Sequence, residues 1–160
     1  MIFFFFGYPG IGKDFCAERL SKLTNIPHID ADNFLTKSDK QKLLNGTFTK
    51  VNRLKKLARI VKYIKKLDSP NITIGDSLPD QDSRKFLMEQ FGKDITLIHV
   101  QSSKSTHLKR IKERRNHFFT KELLGTYINH WEEISITHIP LENSGNLDEK
   151  LLQIFKKVLT

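Results

Sequence analysis

Short apolar runs alternate along the chain with longer stretches in which apolar residues recur every three or four positions. Ile2–Phe6 is a continuous apolar run ended by Gly7, the pattern of a strand buried on both faces. Phe15–Leu23 then carries helical spacing, and Pro27–Ala31 predicts a second short strand. Residues 34–46 predict a short helix and a turn ending at Gly46. Residues 50–67 predict a long amphipathic helix with Val51, Leu54, Leu57, Ala58, Val61 and Ile64 on one face. Asn71–Gly75 predicts a third strand, Ser83–Phe91 a helix stopped by Gly92, and Ile95–Val100 a fourth strand. A basic helix over 104–115, a further helix over Lys121–Glu133, a fifth strand over Ile134–Leu141 and a final helix over Asn146–Leu159 complete the order. Strands that alternate with helices from end to end predict an α/β fold, with a five-stranded parallel sheet and helices on both faces. Ligands of such sheets sit at the carboxyl ends of the strands, so chemistry is expected just after each strand.

Composition adds a setting. A chain of 160 residues predicts one domain spanning 1–160. Lys and Arg total 27 against 18 Asp and Glu, and the resulting +9 points to phosphorylated or polyanionic partners. The one cysteine, Cys16, excludes an intrachain disulfide and suits a reducing, cytoplasmic setting. No apolar run approaches the ~18 residues that a membrane span needs, so no membrane partner is expected. Met1–Phe6 lacks the basic flank and the small-residue cleavage site of a signal peptide.

The segment after the first strand carries the clearest chemistry. Gly7-Tyr8-Pro9-Gly10-Ile11-Gly12-Lys13 fits G-x-x-x-x-G-K between a predicted strand and a predicted helix, the context of a phosphate-binding loop. The glycines let successive backbone N–H groups turn inward as an anion nest, the helix start adds its positive end, and Lys13 reaches the β- and γ-phosphates. The next position of the motif is Ser or Thr, which ligates magnesium; here it is Asp14. Three readings stand: a carboxylate that holds magnesium directly or through water, an acid in a first helical turn, or a weakened site. Asp30 and Asp32 lie two apart at a predicted strand end and therefore point to the same side, one to serve a metal and the other an acceptor hydroxyl. Asp32 is equally suited to capping the helix that follows. Asp76 and Ser77 end the third strand and are placed to meet a magnesium-bound water or a substrate. Arg110 and Arg114, four apart, share one helix face.

Four stretches resemble small-molecule kinases of the P-loop class, in the gluconokinase and shikimate kinase group, with likeness to adenylylsulfate kinases as well. They are the loop; Ile29-Asp30-Ala31-Asp32-Asn33-Phe34-Leu35; Gly75-Asp76-Ser77-Leu78 with Ser83-Arg84; and Leu108 to Phe119, which is similar to an Arg-rich lid over about 110–120 and ends His117-Phe118-Phe119. The resemblance implies a three-layer P-loop fold and transfer of the γ-phosphoryl of ATP, with Mg2+, to a hydroxyl of a small anionic acceptor, gluconate first. It implies that Arg110 stacks on adenine and that Asn143 contacts it. Arg114 or Arg115 then meets the transferring group, and His117 contacts substrate or fixes lid geometry. It also implies that Arg53 and Arg84 hold the acceptor's negative charge, and it leaves a homodimer open. Asp14 in a Gly-Lys-Asp-Phe string is similar to the loops of phosphomevalonate kinases and of some phage nucleotide kinases.

Two rival readings remain. The helix over 50–66 carries Lys50, Arg53, Lys55, Lys56, Arg59, Lys62, Lys65 and Lys66 without an acid, which suits a nucleic-acid partner and a polynucleotide 5′-hydroxyl kinase. The departure at Asp14 suits a nucleotide-binding regulator that has lost transfer.

Overall fold

The computed structural model describes residues 1–113 and 130–160. The sheet order is β2-β3-β1-β4-β5, and every pairing is parallel. The strands are β1 (Ile2–Phe6), β2 (His28–Asp30), β3 (Ile72–Asp76), β4 (Ile95–Gln101) and β5 (Ile139–Glu142). The helices are α1 (Lys13–Thr24), α2 (Lys37–Leu44), α3 (Lys50–Ile64), α4 (Gln81–Phe91), α5 (Lys104–Glu113) and α6 (Leu147–Leu159). The phenylalanine run makes β1 the centre of both cores. Side chains alternate across a strand, so Phe4 and Phe6 pack with Leu57, Ile60 and Val61 of α3 and Leu87 of α4. Phe3 and Phe5 face the other way, onto Cys16, Ala17 and Leu20 of α1 and Leu151 and Ile154 of α6. Helices therefore cover both faces, and the architecture is the expected three-layer α/β sandwich.

The helix starts are locally encoded. Thr36 and Thr49 close capping boxes with Asp39 and Asn52, and Asp80 caps α4 through the Ser83 amide. Asp30 caps a 3-10 turn over Ala31–Phe34 that links β2 to α2.

Three elements differ from expectation. β5 covers only Ile139–Glu142, and residues 131–138 are neither strand nor helix. Ile134 and Ile136 pack against the core, which supplies the alternation that reads as a strand. The carbonyls of Glu132 and Glu133 accept from Arg84, and the Glu132 amide donates to the Pro79 carbonyl at 2.7 Å. These backbone groups bond across the chain instead of to a neighbouring strand or turn. The segment 131–133 is thus a strap rather than the end of a helix, and residues 121–129 of that predicted helix lie outside the described residues. In α3 the buried stripe is Lys56, Leu57, Ile60, Val61 and Ile64. Val51 and Ala58, expected on the apolar face, are exposed. Among the described residues, no helix is long and apolar enough to cross a membrane.

Candidate functional site

The central strand delivers the glycine loop to the carboxyl edge of the sheet. Phe6 stands opposite Asp76 of β3 and His99 of β4, while Asp30 of β2 stands opposite Gly75. Gly7, Asp30, Asp76 and Ser77 therefore emerge at one edge. Within the loop, Gly12 has φ 96°, and a Cβ there would lie 2.3 Å from Asn143 Nδ2, so only glycine fits. Tyr8, Pro9 and Gly10 complete the turn, with the Ile11 amide donating to the Tyr8 carbonyl at 3.2 Å. Helix α1 begins at Lys13 with no side-chain cap, so its first amides face the loop.

Lys13 is largely buried, and its Nζ lies 3.1 Å from Asp14 Oδ2. Asp14 packs on β3 so closely that a Cβ on Gly75 would sit 2.5 Å from its Oδ1. The Ser77 hydroxyl donates to the Gly7 carbonyl at 3.3 Å, and the Ser77 amide donates to Asp76 Oδ1 at 2.8 Å. On the other flank, Arg110 Nη1 and Asn143 Nδ2 converge on the Ile11 carbonyl at 2.8 and 3.1 Å. His107 Nε2 donates to the Pro9 carbonyl at 2.8 Å. A cavity of about 450 Å³ opens on this β4–β5 side, lined by Tyr8, Ile11, Gln101, Lys104, His107 and Glu142 among others.

The β2–β3 side is rich in carboxylates. Asp30 Oδ1 accepts the Asp32 amide at 2.8 Å. Lys56, three residues after Arg53 and one of the buried residues of α3, reaches across to Asp76. Its Nζ lies 3.0 Å from each Asp76 oxygen and 3.6 Å from Asp32 Oδ1. Asp76 Oδ2 is buried, and the ion pair with Lys56 is what compensates its charge. Arg53 pairs with Asp80 in a second buried contact. Arg59 bonds Asp39 and the Phe34 carbonyl, holding α3 against α2 and the 3-10 turn. Burial opposes the charge on Asp39, but Thr36 and Arg59 outweigh it and hold the carboxyl below its usual value.

Arg84 corrects an expectation. It is fully buried and donates to the carbonyls of Leu78, Pro79, Glu132 and Glu133 and to Gln81 Oε1. Its guanidinium lies against the Phe6 and Trp131 rings. Burial lowers its pKa against the pull of Asp80 and Glu132. It ties the strap to α4 and presents no donor to an acceptor. Beside it, His99 stacks on Phe6 and is pushed down to about 4, by burial first and then by His138 and Arg84. Five of the eight cations of the basic helix, Lys50, Arg53, Lys56, Arg59 and Lys65, bond within the chain. Arg114, Arg115 and His117 lie outside the described residues, as does most of the expected lid.

No protein-family model matches the chain, and no curated protein sequence matches it. Solved structures do. A sugar kinase from Janibacter sp. HTCC2649 superposes with a TM-score of 0.79 at 18% identity, over 99% of this chain and 93% of that one. A gluconokinase from Sinorhizobium meliloti 1021 also gives 0.79, at 19% identity over 98% and 90%. A shikimate kinase from Aquifex aeolicus gives 0.60, at 16% identity over 99% and 96%. The fold is the P-loop kinase fold. Within it the sequence reading missed Lys56, Asp80, His99 and His107. Only Lys56 left a signal: a lysine on the same stripe as Leu57, Ile60 and Ile64 in an otherwise apolar face.

Proposed function

We propose that the chain transfers the γ-phosphoryl group of ATP to a hydroxyl of a small acceptor. The observation that carries this is the glycine loop with Lys13 on the central strand, with carboxylates on the β2–β3 side and Arg110 and Asn143 on the β4–β5 side. The loop amides and Lys13 hold the β- and γ-phosphates, and Arg110 and Asn143 flank the nucleotide on the cavity side. The acceptor binds by Asp30, Asp32, Asp76 and Ser77. Asp30 or Asp32 orients the hydroxyl and takes its proton as the new P–O bond forms and the bond to ADP breaks. Arg114, Arg115 and His117 are placed over the transferring group by the resemblance alone.

Magnesium fits the residues present. It needs one or two carboxylates beside phosphate oxygens and waters, and Asp14 stands against Gly75 of β3 with its carboxylate beside Lys13 of the loop. Asp30, the other expected ligand, gives Oδ1 to the Asp32 amide. When bound, the ion neutralises phosphate charge. Asp14 thus stands in for the usual hydroxyl in a working site.

The test is ADP release from Mg2+–ATP across gluconate, shikimate, adenylylsulfate, nucleosides, sugars and a 5′-hydroxyl oligonucleotide. Removing Lys13 from the phosphates is expected to cost roughly a hundredfold or more in rate. Acceptor-dependent release that survives Lys13→Ala unchanged overturns the assignment.

A further inference from the structure

We propose that the hairpin of α2 and α3 is a docking surface for single-stranded nucleic acid, held by its phosphodiester backbone. The chain's positive charge is concentrated there. Residues 37–66 hold 11 of the 27 Lys and Arg and one of the 18 Asp and Glu, a net +10. The rest of the chain holds 16 and 17, a net −1. A lysine-rich composition spread along the chain would not give this contrast. Residues 114–129 carry Arg114, Arg115 and Lys121 against one acid, Glu122, so they do not cancel the excess. Four cations of the hairpin meet carboxylates: Lys50 on Asp82, Arg53 on Asp80, Lys56 on Asp76 and Arg59 on Asp39.

Lys55, Lys62 and Lys66 face away from those contacts. All three are exposed, and their spacing of seven and four residues puts them in one row along the helix. Lys66 lies just past α3, and its amide donates to the Tyr63 carbonyl at 3.0 Å, which keeps it on the helical path. At ~1.5 Å per residue the row is about 16 Å long, enough for several phosphates of one strand. Ala58, exposed between Lys55 and Lys62, has no bulk to hold a strand off. Helix α2, which Arg59 ties to α3 through Asp39, adds exposed Lys37 and Lys40 to the same unit. Tyr63 favours a single strand over a duplex. It is 46% exposed beside Lys62, with its ring against Phe34. An exposed ring among cations offers an unpaired base a face to stack on, which a duplex cannot use because its bases stack on each other. None of these side chains belongs to the site at the sheet edge, so docking stands apart from phosphotransfer.

The experiment reads the fluorescence anisotropy of a labelled, 5′-phosphorylated single-stranded DNA of about 15 nucleotides against the full chain. With three phosphates neutralised, affinity is expected to fall roughly twentyfold between ~50 and ~200 mM salt. The triple variant Lys55→Gln, Lys62→Gln, Lys66→Gln, its fold checked by circular dichroism, is expected to lose roughly tenfold or more at ~50 mM salt and most of the salt dependence. A second triple variant, Lys93→Gln, Lys156→Gln, Lys157→Gln, removes the same charge from exposed positions elsewhere and is expected to lose less than about threefold. Equal losses in the two, or no binding by the parent chain, overturn the proposal. Tyr63→Leu keeps an apolar side chain on Phe34 and is expected to lose roughly fivefold or more. Unchanged binding by that variant, or tighter binding of the same sequence as a duplex, overturns the assignment to a single strand. Lys13→Ala is expected to bind as the parent does, and a loss equal to that of the hairpin variant puts the strand in the glycine loop and overturns the proposal. Binding to phosphatidylserine vesicles with none to the oligonucleotide overturns it in favour of a membrane surface. ADP release is read separately: its failure leaves docking standing, and failure of docking leaves phosphotransfer standing.

Discussion

Lys56 shows how one residue couples fold to site. Its ammonium sits on a buried carboxylate, so the pair is stable only as a pair. Lys56→Met should cost about 3–5 kcal/mol, because Asp76 is then left buried without its cation. Urea unfolding of the two proteins checks this, and a loss under about 1 kcal/mol would mean that solvent reaches Asp76 freely. His99 makes a separate prediction. Its folded pKa is depressed to about 4 from 6.5, so the folded state stays neutral where the unfolded state is already protonated. Its contribution is complete above pH 6.5 and is lost as pH falls from there toward 4. His99→Phe keeps a ring against Phe6 and should flatten the fall in unfolding midpoint over that window; an equally steep fall assigns the slope to other groups. The residues legible in the sequence were those whose meaning is local. Gly12 and Lys13 are defined by seven consecutive positions, whereas Lys56 acquires meaning only when α3 turns it toward β3, twenty residues downstream.

Element boundaries divide along the same line. The starts of α2 and α3 follow from Thr36 and Thr49, whose hydroxyls bond three residues ahead. The strap at 131–138 has no local signal, because its backbone is fixed by Arg84, about fifty residues earlier. Ile134 and Ile136 gave it a strand's alternation, and only the cross-chain bonds decide against a strand. That dependence is testable. Arg84→Lys keeps the charge but replaces a planar fork of donors with a point charge, so it cannot serve four carbonyls in fixed directions. The expected loss is about 2–4 kcal/mol, as several buried acceptors lose their partner together. Amide exchange should rise at 130–138 and at the start of α4, and stay unchanged in α6 on the far face. Unchanged protection at 130–138 would show that Trp131 and the isoleucines hold the strap unaided.

For the whole molecule, the alternation of strands and helices predicts the layers, but the order β2-β3-β1-β4-β5 decides the chemistry. It puts the loop in the middle, the acidic ends of β2 and β3 on one side, and Arg110 with Asn143 on the other. The arrangement predicts a measurable linkage. On the proposed reading ATP binds the folded chain and not the unfolded one, so at a hundredfold excess over its dissociation constant it adds about 2.7 kcal/mol. For a chain of this length that is a rise of roughly 5–10 °C in unfolding midpoint. Lys13→Ala should lose most of the rise, since the proposed function gives the phosphates to the loop that carries Lys13. Asp14 is read by the part of the rise that depends on magnesium. If its carboxylate helps hold the ion, Asp14→Ala keeps the rise given by ATP alone and loses the increment that magnesium adds. If Asp14 only favours the start of α1, both variant and parent shift equally with magnesium and differ by a constant few tenths of a kcal/mol, the size of a first-turn charge effect. An equal magnesium increment in the two proteins would remove Asp14 from the metal site.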